Sequence, residues 1–284
     1  MIDLHTHTTF SDGSLTPTEL VEEATALGLT AVAVTDHDTV DGLPEALAAG
    51  ERLSIRVVPG VEINLEHERV TMDVLGYFLG GDPSAELKAE LAELRIYRDE
   101  RNARILGRLA ELGYALEPDD LAAAAENGAV GRPHIGEALV RRGYAGSIAE
   151  AFERFLRRGA PAWVDRRRLS LRAAMRVLRT SGGLPVLAHP GIIRADTAGL
   201  EHIVRDAARL GMAGIECYHP LHDEATVARC LALAEKYALV PTGGSDFHGS
   251  VKPDAHLGIG SAGLPLPDEL LANLECLAAD DLRR

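Results

Sequence analysis

Aromatic side chains are scarce in this chain: Phe, Tyr and Trp make up 4% of its 284 residues. A core must therefore be built from Ala, Leu and Val, and a hydrophobic fraction of 46% is enough for one. The three cysteines, Cys217, Cys230 and Cys276, form no Cys-x-x-Cys pair. That excludes a disulfide framework and a Cys-type zinc finger, and points to a reducing compartment, the cytoplasm. No apolar run reaches the roughly 18 residues of a membrane span. The N-terminus offers neither a basic region nor a cleavable apolar stretch, so no secretory signal is expected. Positive charge is also short, with 29 Lys and Arg against 43 Asp and Glu and a formal net charge of −14. Broad electrostatic binding to duplex DNA is excluded on that ground. Lysine is confined to Lys88, Lys236 and Lys252, which leaves arginine as the expected contact for an anionic substrate. Composition carries no signal for oligomeric state.

What is present begins at the start of the chain. Ile2-Asp3-Leu4-His5-Thr6-His7 reads as a short apolar strand, and Asp12 follows in a loop. Residues i and i+2 of a strand share a face, so His5 and His7 can reach one metal ion, with Asp12 near it. Imidazole nitrogen with carboxylate oxygen suits zinc, manganese or iron. Thr16-Pro17-Thr18-Glu19 is a helix start, with a Thr cap, Pro at the first position and Glu at the third. Further strands are expected near 31–38, 56–63, 70–78, 184–190, 214–219 and 240–248, separated mostly by helices. Between about 84 and 160 the pattern is helical only, with helices at 84–112, 118–126 and 133–142 and one opened by Ser147. Seven strands alternating with helices imply an α/β fold, a parallel barrel or a wound sheet. The helical stretch divides the chain into a discontinuous barrel domain, 1–80 and 165–284, and an insertion, 81–164.

His5, His7, His37, Glu62, Asp73, His189, His219, Asp246 and His248 are expected at or just past strand ends. Barrel enzymes place their chemistry at that rim. Six of the eleven histidines falling there is more than core packing explains.

His5-Thr6-His7 with Asp12, Thr35-Asp36-His37-Asp38, Gly60-Val61-Glu62, Ala188-His189-Pro190 and Gly244-Ser245-Asp246-Phe247-His248 together resemble the motif set of the PHP (polymerase and histidinol phosphatase) family. The resemblance implies a distorted (β/α)7 barrel with a helical insertion and divalent metals at its mouth. It implies that His5, His7, Glu62 and Asp246 hold one ion, and that Asp12, His37 and His248 hold a second. Many members hold a third ion through a residue like His189 and a histidine on the fourth strand. Asp73 stands at that strand position here, so two ions are expected, manganese first among them, with iron and zinc compatible. Arg98 to Asn102, Gly131-Arg132-Pro133-His134 and the segment from Glu150 to Val164 resemble the lid of single-chain bacterial members. Those are linked to 3′,5′-nucleoside bisphosphate phosphatase and 5′-to-3′ exoribonuclease activity.

Two such ions can lower the pKa of a bound water toward about 7 and screen charge during in-line displacement at phosphorus. The expected reaction is hydrolysis of the 3′-phosphate of a 3′,5′-bisphosphonucleotide, with short RNA attacked from its 5′ end as a related substrate. His189 or His134 would protonate the leaving oxygen. Asp12, Arg101, Asn102, Arg132, His134, Ser245 and His248 would contact substrate, the arginines through bidentate bonds to a second phosphate. Asp36 is expected to support a ligand histidine. A histidinol phosphate phosphatase and a non-catalytic metal- or nucleotide-binding regulator are the alternatives. A carbon–nitrogen amidohydrolase ranks below them, since no lysine lies at a strand end to bridge metals.

Overall fold

The first strand is shorter than its sequence pattern suggests. In the computed structural model, which describes residues 1–121 and 130–281, β1 covers only Ile2–Asp3. The chain bends at Leu4, and Thr6 then forms a parallel bridge with Phe247. The remaining strands are β2 (Ala31–Val34), β3 (Arg56–His67), β4 (Val70–Tyr77), β5 (Leu169–Ser170), β6 (Leu184–Leu187), β7 (Gly214–Tyr218) and β8 (Val240–Gly243). Their order is β1-β2-β3-β4-β6-β7-β8, with β5 beside β3. The Thr6–Phe247 bridge brings the two ends of this series together, giving a nearly closed, barrel-shaped sheet in a mixed α/β fold.

One strand departs from the parallel arrangement expected from the alternation. β4 runs antiparallel to both β3 and β6. The cause is local: only Glu68 and Arg69 separate β3 from β4, and a connection that short can only reverse the chain. Glu62 accordingly lies in the middle of β3 and Asp73 within β4, not at strand ends. Glu62 nonetheless sits at the barrel mouth, because its parallel neighbour β2 stops at Val34 and His37 bridges to it.

Helices cover the parallel part: α1 (Pro17–Ala26), α2 (Leu43–Leu53), α6 (Leu171–Thr180), α7 (Thr197–Arg209), α8 (Glu224–Tyr237) and α9 (Glu269–Asp281). The cap of α1 is as the sequence indicates: Glu19 N donates to Thr16 Oγ1 at 3.2 Å and Thr16 N to Glu19 Oε2 at 2.8 Å. Ile2, Leu4, Ala31, Val58, Leu75, Tyr77 and Val186 form the barrel core, closed by Leu270 and Leu274 of α9.

By contact density the chain divides into Met1–Glu90 with Arg168–Arg284, and Leu91–Arg167. The second unit holds most of α3 (Ala85–Glu111), then α4 (Arg132–Arg141) and α5 (Ile148–Ala151), which continues into a wider turn at Phe152–Leu156. Its own core is Ile105, Leu109, Ile135, Leu139, Phe155 and Leu156. The helix expected at 118–126 begins as a single turn at Pro118–Asp120, and its remainder lies outside the described residues.

Candidate active site

Segments far apart in sequence converge at the barrel mouth. The run after β1 delivers His5 and His7, whose rings lie 5.2 Å apart. Glu62 Oε2 comes within 3.4 Å of His5 Nε2 and 3.3 Å of His7 Nε2. Asp246, just past β8, places Oδ1 3.6 Å from His5 Nε2 and 3.3 Å from His7 Nε2. A second group adjoins the first. Asp12 lies 3.8 Å from His37 Nε2 and 3.3 Å from His248 Nε2, and the rings of His7 and His248 stack at 4.1 Å. Glu62 spans both groups, since its Oε2 is also 3.0 Å from His37 Nδ1.

This arrangement fits a cation better than it fits hydrogen bonding. His5 Nε2 and His7 Nε2 are fully buried and make no hydrogen bond, although carboxylate oxygens surround them. Donors sharing one ion at about 2.0–2.2 Å stand about 3.0–3.5 Å apart, and most of the separations here match, with His5–Asp246 at 3.6 Å and His37–Asp12 at 3.8 Å slightly wider. Electrostatics agree. Burial penalises the charged form of His37, yet Glu62 and Asp12 push its pKa up to about 10. Burial likewise opposes the protonated form of His5, but Glu62, Glu216 and Asp246 hold it well above its usual value. Glu62, despite complete burial, is held well below the usual carboxylate range by His37 and His5. The same carboxylates that favour a proton on His5 and His37 would favour a divalent ion in its place.

Other residues take roles the sequence does not disclose. Glu216, inside β7, accepts from His5 Nδ1 at 3.1 Å and from the His189 backbone N–H at 2.7 Å. It thereby turns His5 Nε2 toward the centre. A glutamate in an apolar strand offers no motif to find it by. Lys252 Nζ lies 2.6 Å from Asp246 Oδ2, the carboxylate oxygen turned away from His7. It sits beyond β8 in a loop, where no strand-end pattern marks it. His189 Nε2 bonds Glu62 Oε1 at 2.9 Å. Asp73 bonds Asn64 at 2.7 Å, and burial together with the charge of Glu62 raises its pKa.

Two residues engage partners the sequence does not indicate. The buried Ser245 Oγ donates to Asp3 Oδ2 at 2.5 Å, and its N–H donates to Asp3 Oδ1. Asp3 also accepts from the N–H groups of His5 and Gly258, so this knot fixes β1 against the end of β8. Asp36 supports no histidine directly. It accepts from Thr8 N, Thr8 Oγ1 and Ser11 Oγ at 2.6–2.7 Å and so holds the turn between His7 and Asp12.

The helical unit carries Arg101, Asn102, Arg132 and His134. Arg101 donates to Asn102 Oδ1, and Asn102 donates to Val130 O at 2.6 Å. His134 Nδ1 accepts from Gly131 N–H at 3.0 Å, capping the start of α4. Arg132 lies over the ring of Phe152.

A barrel mouth lined by histidines and carboxylates at ion-sharing distances defines a metal-dependent hydrolase. The PHP domain family model matches residues 3–156. Three relatives align over most of the chain. The phosphoribosyl 1,2-cyclic phosphate 1,2-diphosphodiesterase of Eggerthella lenta is 38% identical, covering 90% of this chain and 97% of the relative. The 3′,5′-nucleoside bisphosphate phosphatase of Chromobacterium violaceum is 32% identical, covering 87% of each chain. The 5′-3′ exoribonuclease of Escherichia coli is 35% identical, covering 87% of this chain and 84% of the relative. A solved metal-dependent phosphoesterase from Bifidobacterium adolescentis superposes with a TM-score of 0.84 at 30% identity, covering 97% of this chain and 95% of that one. The chain belongs to the PHP family and is a metal-dependent phosphoesterase. Among the described residues no helix is long and apolar enough to cross a membrane.

Proposed function

We propose that this enzyme hydrolyses a phosphomonoester on ribose, foremost the 3′-phosphate of a 3′,5′-bisphosphonucleotide. The observation that carries the reading is the convergence of His5, His7, Glu62 and Asp246 beside that of Asp12, His37 and His248, with Glu62 Oε2 touching both sets. In this reading the first set holds one divalent ion and the second set another, with Mn²⁺ the leading candidate and Fe or Zn compatible with the same donors. His5, Glu62 and His189 form a further set of three donors within 4.8 Å of one another, while Asp73 Oδ1 accepts from Asn64, so a third ion would be held by fewer residues than the second set and more weakly. Held by these residues, the ions would acidify a water for attack on phosphorus near neutral pH and would screen charge on the phosphate oxygens.

The chain's own residues do the rest. Glu216 locks the His5 ring, and Asp36 holds the turn that positions Asp12. His189, bonded through Nε2 to Glu62, would protonate the leaving alkoxide. His134 Nδ1 accepts from Gly131 N–H, which leaves its Nε2–H as the donor of the second candidate acid. The helical unit, drawn at 81–164 from the sequence, would select the substrate through Arg101, Asn102, Arg132 and His134. Lys252 supplies the ammonium at the mouth and would contact a phosphate oxygen. Losing one charge-assisted bond costs about 1.5–3 kcal/mol, so Lys252→Gln is expected to raise KM about 10- to 100-fold. Metal content should stay at the wild-type level, and Lys252→Arg should recover most of the KM. Unchanged steady-state kinetics for Lys252→Gln would remove that contact.

The three relatives' names share ribose chemistry: a phosphoribosyl cyclic phosphate, a nucleoside bisphosphate and RNA. The relative with 38% identity favours a second reading, opening of a ribose 1,2-cyclic phosphate. Phosphate release from adenosine 3′,5′-bisphosphate and from histidinol phosphate, ring opening of phosphoribosyl 1,2-cyclic phosphate and mononucleotide release from a short 5′-phosphorylated RNA, each with and without Mn²⁺ after chelation, decide between them. Highest kcat/KM on the bisphosphate supports the proposal. Preference for the cyclic ester supports the second reading, and turnover of histidinol phosphate alone overturns both.

A further inference from the structure

A second group of metal-ligating side chains lies away from the phosphoesterase site. His67 ends β3, and Glu68 follows it in the turn to β4. His202 and Asp206 stand four residues apart on α7, on one face of that helix. The four donor atoms all lie within 4.8 Å of one another. We propose that His67, Glu68, His202 and Asp206 form a zinc-binding site that staples the β3–β4 turn to α7.

The spacing matches one ion. His67 Nε2 is 3.3 Å from Asp206 Oδ2, and His202 Nε2 is 3.1 Å from Glu68 Oε2 and 3.5 Å from Asp206 Oδ2. Tetrahedral zinc with bonds of about 2.0–2.1 Å sets its ligands about 3.3–3.4 Å apart. The two imidazole rings stack, with centroids 6.1 Å apart and planes 21° apart, so both present Nε2 to the same point. Neighbouring arginines orient Asp206 toward that point. Its Oδ1 faces Arg205 Nε at 3.5 Å and Arg209 Nη1 at 3.7 Å, which leaves Oδ2 for the imidazoles. Two neutral imidazoles and two carboxylates balance a divalent charge. Their nitrogen favours zinc over calcium or magnesium. The site is separate from the phosphoesterase centre. His67 is five residues from Glu62 along β3, about 17 Å. An odd offset puts the two on opposite faces of the strand.

One contact opposes the ion. Arg205 donates to His202 Nδ1, the nitrogen that must carry the proton when Nε2 ligates. Arg205 is 40% exposed and can turn to solvent, but its contact has to break. The proposal therefore predicts opposite signs for two neighbouring substitutions. In competition with a chromogenic chelator, metal-free wild-type protein should bind one more equivalent of Zn²⁺ than His202→Ala. His67→Gln should lose the same equivalent, and Arg205→Ala should bind it several-fold more tightly than wild type. Mn²⁺-dependent phosphoesterase activity should be unchanged in all three, which also shows that they fold. If His202→Ala and His67→Gln match wild type in zinc stoichiometry and affinity, the site does not exist. If Arg205→Ala loses the equivalent, Arg205 holds the cluster together and the zinc assignment is overturned.

Discussion

Replacing Glu62 by Gln is expected to abolish phosphoester hydrolysis, lowering kcat/KM at least about 10³-fold, or about 4 kcal/mol of transition-state stabilisation. Glu62 sets a single oxygen against both donor groups, 3.3 Å from His7 Nε2 and 3.0 Å from His37 Nδ1. The amide keeps the side chain's shape but removes the charge that offsets two divalent ions. It also turns one oxygen into a donor that faces histidine nitrogens. Elemental analysis should show metal content falling with activity, and added Mn²⁺ should not restore turnover. Glu66, on the same strand with its side chain 42% exposed, provides the control. Glu66→Gln should leave both metal content and kinetics within the scatter of a surface change, about 0.5 kcal/mol. A folded Glu62→Gln protein with wild-type metal content and turnover would sink the two-ion site.

The site's residues are readable in the sequence because each is announced by a short local pattern. His5-Thr6-His7 needs only an extended backbone to aim both rings one way, and Thr6 still pairs with Phe247 there even though regular pairing ends at Asp3. Helix α1 is legible for the same reason, since Thr16, Pro17 and Glu19 act on neighbours within one turn. What escapes depends on partners far away in sequence. Asp3 reads as a polar break in an apolar strand. Only the closed barrel shows that it receives Ser245, 242 residues on, and Gly258. Glu216 and Lys252 have meaning only through His5 and Asp246. The reversal of β4 is hidden because Glu68 and Arg69 lack the Asn-Gly or Asp-Gly signature of a two-residue turn. Both adopt positive φ, 48° and 69°, without glycine.

The same Gly-to-Ala change should act with opposite sign at Gly244 and Gly107, and the first carries the larger effect. Gly244 lies where the chain leaving β8 crosses the run that bears His5. A Cβ built there would stand 2.2 Å from His5 Cβ, 2.7 Å from His5 N and 2.9 Å from His5 Cα. Two of those atoms are backbone, so no rotamer change relieves the clash. Ordinary carbon contacts need about 3.5–4.0 Å, and one chain must move by more than about 1 Å. Overpacking of this kind costs about 1–3 kcal/mol. A metal site tolerates displacement of only about 0.2 Å in its bond lengths, so the greater loss is functional. Misplacement by about 1 Å is worth about 10²-fold in rate, and Gly244→Ala should lose at least that together with much of its metal. Gly107 sits within α3, exposed, with nothing within 4 Å of the added carbon. There Ala removes the entropic penalty of a helical glycine and should stabilise by about 0.5–1 kcal/mol, with activity unchanged. Thermal unfolding of the two variants beside wild type, with metal content measured on the same samples, checks both signs. A Gly244→Ala protein with wild-type metal content and turnover would show that the crossing of β8 over His5 does not set the geometry of the centre.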